Sequence, residues 1–182
     1  MTKIAKIFLA DGFEETEALV PYDILKRGGV DVSLVSVMPT PKVTSSHGVT
    51  VEAHQLLSQG LGECDLLVLP GGMPGTLNLA ACGVLCEQLK AAASCGKLIG
   101  AICAAPSVLG GLGLLRGRKA TCYPGFEDKL LGAVATGESV VEDGNFITAV
   151  GAGADFLFGL TLLARLTGQA NADKVKQQII LR

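Results

Sequence analysis

Lys97-Leu98-Ile99-Gly100-Ala101-Ile102-Cys103-Ala104-Ala105-Pro106 is the stretch from which the fold is read. Leu98 to Ile102 is an uncharged apolar run of strand length, as in a strand buried on both faces. It stops at Cys103, and a helix is expected to open near Pro106, because proline is favoured in a first helical turn. Cys103 thus falls at a strand-to-helix join, near the unpaired N–H groups and positive dipole end that begin a helix. Both favour negative charge, so the expectation is a thiol with a lowered pKa, poised as the thiolate nucleophile. The same strand–nucleophile–helix geometry carries the serine of the hydrolase nucleophile elbow. Small neighbours (Gly100, Ala101, Ala104, Ala105) let backbone approach backbone closely. Without that position, Cys103 would read as one more small buried hydrophobe.

Outward from this stretch, strands and helices alternate. Lys3 to Leu9 is an apolar run suited to a central strand, ending at the turn Ala10-Asp11-Gly12-Phe13. Glu14-Glu15-Thr16-Glu17 opens an amphipathic helix with Ala18, Leu19, Val20, Ile24 and Leu25 on its apolar side. Acidic residues in a first turn complement the helix dipole, so alone these glutamates signify a helix start. Pro21 is expected to kink the helix, and Gly28-Gly29 to stop it. Val30 to Val37 alternates as a second strand, Pro39 and Pro41 mark a loop, and Ser45-Ser46-His47-Gly48 is a polar turn before a short strand, Val49 to Val51. Asp65 to Leu69 is another buried strand, followed by Pro70-Gly71-Gly72-Met73-Pro74-Gly75. A glycine-rich turn there exposes N–H groups at the carboxyl edge of the sheet, where open α/β folds bind ligands. It has neither the Walker nor the dinucleotide glycine spacing.

Leu77 to Ala93 has helical periodicity, broken near Cys82-Gly83. Beyond the central stretch come a short strand (Lys119 to Cys122), a turn (Tyr123 to Phe126) and a hairpin (Ser139 to Val141 with Asn145 to Val150). Gly151-Ala152-Gly153 leads into an apolar helix from Ala154 to Leu166, ended at Gly168, and a last helix spans Asn171 to Leu181. With no repeat and no linker, the expectation is a single α/β domain over residues 1–182: a mostly parallel sheet with helices on both faces.

Composition narrows the partners. Hydrophobic residues make up 49% and charged residues 18% of the 182, and net charge is −2 with no long basic run. Nucleic acid and membrane-surface binding are therefore not expected. Met1-Thr2-Lys3-Ile4 runs straight into a strand and no bilayer-length apolar stretch follows, so the expected location is the cytoplasm. The six cysteines then read as reduced thiols. Cys82 and Cys86 are spaced to share a helix face, but the only histidines, His47 and His54, are distant in sequence, and no metal site is expected.

Three blocks together, Gly12-Phe13-Glu14-Glu15-Thr16-Glu17, Leu69-Pro70-Gly71-Gly72 and Ala101-Ile102-Cys103-Ala104-Ala105-Pro106, make the chain resemble the ThiJ/PfpI superfamily. Within it, the likeness is greatest to the branch of the Parkinson-disease protein deglycase and its small bacterial relatives, and it runs from Lys3 to the last helix. It implies a flavodoxin-like three-layer α/β/α sandwich, a homodimer and no cofactor. It also implies that Cys103 is the reactive cysteine and Glu17 its partner carboxyl, protonated and donating to the sulfur. An apolar pocket beside a thiolate would push a carboxyl to that neutral form. By the same resemblance the backbone N–H groups of Gly72 and Ala104 face the site as an oxyanion hole, and Glu14 and Arg27 match further polar positions near the pocket.

The sequence departs from this pattern in places. Tyr123 stands where many relatives carry a histidine, and a tyrosine hydroxyl, with an ordinary pKa of ~10, is a poor base at neutral pH. His47 falls where an arginine is frequent, so anion contacts there would depend on pH. Gly151-Ala152-Gly153 replaces a frequent Gly-Pro-Gly. The resemblance implies a glutathione-independent glyoxalase III or protein deglycase, acting on methylglyoxal, glyoxal or glycated and misfolded proteins. The alternative is an oxidative-stress sensor or redox-regulated chaperone whose Cys103 oxidises to sulfinate without significant turnover. Peptidase activity, which in another branch needs a histidine directly after the cysteine, is disfavoured by Ala104.

Overall fold

In the computed structural model, which describes residues 2–182, Met1 of the expected 1–182 domain lies outside the described residues. The elements in chain order are β1 (Ile4–Leu9), α1 (Glu15–Arg27), β2 (Asp31–Ser36), β3 (Lys42–Thr44), β4 (Thr50–Glu52), β5 (Gln55–Leu56), β6 (Leu66–Leu69), α2 (Gly75–Ala81) and α3 (Gly83–Ser94). They continue with β7 (Leu98–Ile102), α4 (Pro106–Gly111), β8 (Lys119–Ala120), β9 (Val134–Ala135), β10 (Val140–Asp143), β11 (Phe146–Ala149), α5 (Asp155–Thr167) and α6 (Gln169–Gln178). Seven strands form one sheet in the order β10-β11-β7-β6-β1-β2-β5. Every pairing in it is parallel except the β10–β11 hairpin.

The period-2 alternation of strand side chains divides the core into two layers. Ile7 and Leu9 face α1 and α5, against Ile24, Leu25, Phe158, Leu162 and Leu163. Phe8, Leu67 and Ile99 face the other helices, against Leu79, Leu85, Leu89 and Leu109. Each such buried side chain contributes about 1.5–3 kcal/mol relative to exposure. α1 and α5 run parallel in close contact. A Cβ on Gly159 would lie 2.7 Å from Ile24 Cδ1 and 3.2 Å from Pro21 Cα, and one turn further on a Cβ on Gly28 would strike Leu163. The N-termini of the two helices therefore lie side by side.

Three local expectations change. β3 pairs with β4 in an antiparallel hairpin, where only a loop and a single short strand were expected. Three-residue strands with mostly exposed side chains are too short to show a period. α1 runs unbroken through the buried Pro21, and α6 starts at Gln169, directly after Gly168, not at Asn171. The sheet order reverses between β1 and β6: the chain passes first to β2 on one side, then to β6 and β7 on the other. That switch point opens a crevice at the carboxyl ends of β1, β6 and β7.

Candidate active site

Three loops meet in this crevice. The Glu14 N–H donates to the Gly71 carbonyl (3.0 Å) and the Gly75 N–H to the Gly12 carbonyl (3.1 Å), tying the loop after β1 to the loop after β6. A Cβ on Gly71 would lie 2.7 Å from Cys103 Cβ and 2.7 Å from Glu17 Oε2. Only glycine lets the loop, the cysteine and the carboxyl come together. Gly71→Ala is accordingly expected to cost about 1–3 kcal/mol by overpacking, read as a lowered midpoint in thermal melts.

Cys103 has φ +63°, in the left-handed region that a side chain rarely adopts. Its neighbours hold it there: its N–H donates to the Ala149 carbonyl (2.9 Å) and its carbonyl accepts from the Tyr123 N–H (2.8 Å). Glu17, one turn into α1, is 1% exposed, and its Oε2 accepts the Gly71 N–H at 2.8 Å. The Glu17 carboxyl and the Cys103 side chain meet over Gly71. Burial pushes the Glu17 carboxyl up to about 7, the nearby charges of Asp155 and Glu14 adding to it and the bonds from Cys103 and Gly71 opposing it.

The thiol departs from expectation. Burial, then the charge and hydrogen bond of Glu17, push Cys103 up to about 12, while the backbone N–H groups of Ala104 and Gly72 pull the other way. The helix behind it, α4, has only six residues, and a buried carboxylate beside the sulfur outweighs its dipole. Cys103 and Glu17 are thus a coupled pair that gives up its first proton near pH 7 and holds one between them above it. The sulfur is nucleophilic when that proton sits on Glu17.

Around the pair the structure sorts the remaining candidates. The loop carrying Ser46 and His47 is fastened to the crevice by the Ser46 N–H to Phe13 carbonyl bond (2.8 Å). Ser46 Oγ donates to Glu14 Oε2 (3.2 Å), and His47 Nδ1 lies 3.0 Å from Glu15 Oε1 and 3.7 Å from Glu14 Oε2. The Glu15 hydrogen bond and the two carboxylate charges raise the pKa of the exposed His47. Glu14, Glu15 and His47 also bring three ligand-type atoms within 4.8 Å of one another, a grouping hidden in the sequence by the distance between the two segments. Tyr123 is half exposed, its ring beside Gly151: a Cβ on Gly151 would lie 3.4 Å from Tyr123 Cδ2 and 4.0 Å from Cys103 Sγ. Arg27 is a correction. It ends α1, with Nε 2.7 Å from Asp23 Oδ2, roughly 15 Å along the helix from Glu17. Matching its sequence position carried no information about distance.

Two contributors were not singled out from sequence. Gly71 was visible only as part of a glycine-rich turn. Asp155, the first residue of α5, is 3% exposed, and its burial pushes it up to about 6, with the Thr16 hydroxyl opposing the shift. A lone acid at a helix start has an ordinary explanation in the dipole, so nothing in the local pattern singles it out.

Comparison with known proteins follows the same outline. The model of the DJ-1/PfpI family matches residues 3–165. The protein DJ-1 homolog B of Arabidopsis thaliana is 41% identical over 184 residues, covering 100% of this chain and 42% of its own length. The chain thus spans less than half of that relative. A Pyrococcus abyssi protein named a deglycase is 37% identical over 147 residues, covering 79% of this chain and 87% of its own. Among solved structures, a cysteine-to-alanine mutant of a DJ-1 superfamily protein from Salmonella typhimurium superposes with a TM-score of 0.96. It is 38% identical, with both chains covered completely.

Proposed function

The chain belongs to the DJ-1/PfpI family, and on that premise we propose that it is a cysteine-dependent protective enzyme of the cytoplasm that converts reactive dicarbonyls without glutathione. The observation that carries this reading is the Cys103–Glu17 pair: a sulfur packed beside a buried carboxyl whose pKa is about 7, with the Ala104 and Gly72 N–H groups favouring its charged form.

Cys103 Sγ adds to the aldehyde carbon of methylglyoxal. The new C–S bond takes the carbonyl π electrons onto oxygen, which the two N–H groups stabilise and which takes up a proton to give a hemithioacetal. Glu17, now a carboxylate, removes the hydrogen on that carbon, and the electron pair passes into an enediol. The proton returns to the neighbouring carbon, leaving a thioester of lactate. Water cleaves the thioester, releases lactate and restores the thiol. The aldehyde carbon is oxidised and the ketone carbon reduced, so no external oxidant or cofactor enters. Early adducts of the same carbonyls on protein side chains are a second substrate of this chemistry.

The test is lactate formed from methylglyoxal with neither glutathione nor metal. Wild type is expected to turn over; no lactate from a folded wild type would overturn the reading. Tyr123→His is expected to turn over at least ~10-fold faster, because it places an ordinary imidazole base beside Gly151 and the sulfur. A homodimer is part of the same proposal. Leu19, Val20 and Phe156 form an apolar strip between α1 and α5, with Phe156 46% exposed, that a second copy would cover. Light scattering in solution gives the state directly. A redox sensor uses the same exposed-edge sulfur, and mild peroxide modifying Cys103 ahead of the other thiols, with no lactate formed, would favour it.

A further inference from the structure

The crevice holds one more buried carboxyl than the reaction above uses. Asp155 is 3% exposed, and its Oδ1 has no hydrogen-bond partner among the described residues. It joins no ion pair there either. The packing of α1 on α5 says what it faces. Gly159 rests on Pro21, the helices run parallel, and four residues back along each is one turn. That step pairs Asp155 with Glu17. The Thr16 hydroxyl, from the residue before Glu17, pulls the Asp155 pKa down and agrees with this register. The groups of the α1 end that act on Asp155 or Glu17 across this contact are Thr16 and Glu14, neutral or acidic; the nearest cation is His47, on the far side of Glu14 at 3.7 Å from its Oε2.

We propose that Asp155 is a positioning residue of the Cys103–Glu17 pair: its buried carboxylate, set opposite Glu17 by the parallel α1–α5 contact, keeps the shared proton on Glu17 and so leaves the sulfur as thiolate. A second negative charge beside Glu17 disfavours the tautomer in which Glu17 is ionised and Cys103 protonated. It disfavours the other tautomer less, because its charge acts on Glu17 and is not among those that act on the sulfur. The orphan Oδ1 is tolerated because its charge has this use. The inference deepens the proposed function, but it concerns the state of the pair and holds for a sensor as well as for an enzyme.

The experiment is the rate of Cys103 alkylation by iodoacetamide against pH, in wild type, Asp155→Asn, Glu17→Gln and the double variant. Alkylation reads thiolate whether or not any carbonyl is turned over, so failure here is separate from failure of the glyoxalase reading. At pH 8, where Asp155 is ionised, Asp155→Asn is expected to react roughly 3- to 10-fold more slowly than wild type. At pH 5, where Asp155 is protonated, the two are expected to react alike. In the Glu17→Gln background the Asp155 substitution should have no effect, since no proton is left to place. A merely structural aspartate would slow alkylation equally at both pH values and in both backgrounds. That result, or no effect of Asp155→Asn at pH 8, overturns the proposal. Asp155→Ser, which keeps a small polar helix start, serves as the folded control should the asparagine variant misfold.

Discussion

Glutamine at position 17 should give a protein that is more stable than wild type at pH 8 and nearly inactive. The Glu17 carboxyl has a folded-state pKa of about 7 against an ordinary 4.5. The first proton of the pair, held more tightly in this way, contributes its full stability below pH 4.5 and is lost as pH rises through 7, whichever of Glu17 and Cys103 then carries the charge, because the folded protein binds it more tightly than the unfolded chain. The difference amounts to about 3 kcal/mol at most above pH 7. Glutamine takes no part in this loss, and its amide oxygen can still accept the Gly71 N–H that now bonds Oε2 at 2.8 Å. Denaturant melts at pH 4 and pH 8 check the sign: the variants should be alike at pH 4, and Glu17→Gln more stable at pH 8. Activity should fall by roughly 100- to 10,000-fold, since the amide cannot take the carbon-bound proton. A site residue that destabilises its own protein at working pH is the signature of a carboxyl kept for chemistry.

Cys103→Ser should abolish lactate formation, by roughly a thousandfold or more, because a serine hydroxyl beside a buried carboxyl yields no nucleophile at neutral pH. Cys103→Gly should be equally inactive yet more stable than the serine variant, by about 1 kcal/mol. The backbone at this position sits at φ +63°, which a side chain resists and glycine does not. Inactivity from serine combined with added stability from glycine would separate the nucleophile from its scaffold. If glycine proves no more stable than serine, the turn is not strained.

Much of this architecture was legible because the strands are buried and long enough to show as apolar runs. Leu98 to Ile102 matches β7 residue for residue, and the break near Cys82-Gly83 falls between α2 and α3. The β3–β4 hairpin was not legible: pairing of two three-residue strands is set by tertiary contacts, such as the Thr44 N–H to Asp11 Oδ1 bond (2.9 Å), and not by local pattern. At the site, the residue types on the strand-ending loops pointed to the crevice. The electrostatics did not follow from them. The helix start at Cys103 is outweighed by burial of the sulfur and by a carboxylate that arrives from 86 positions away, which together reverse the direction of the thiol shift. Arg27 failed for the opposite reason, being near Glu17 in sequence and a helix length away in space. Asp155 was missed because nothing in the sequence distinguishes a dipole-satisfying acid from one that faces a second buried carboxyl.

The central claim, that the Cys103–Glu17 pair presents a thiolate at neutral pH by keeping its shared proton on the carboxyl, is tested most directly by ultraviolet thiolate absorbance against pH, wild type minus Cys103→Ser. Thiolate signal rising with a midpoint near pH 7, as the pair gives up its first proton, is the expected result. A Cys103 that stays silent through pH 9 and ionises only near 12 would contradict it, and with it the nucleophile on which the proposed chemistry depends.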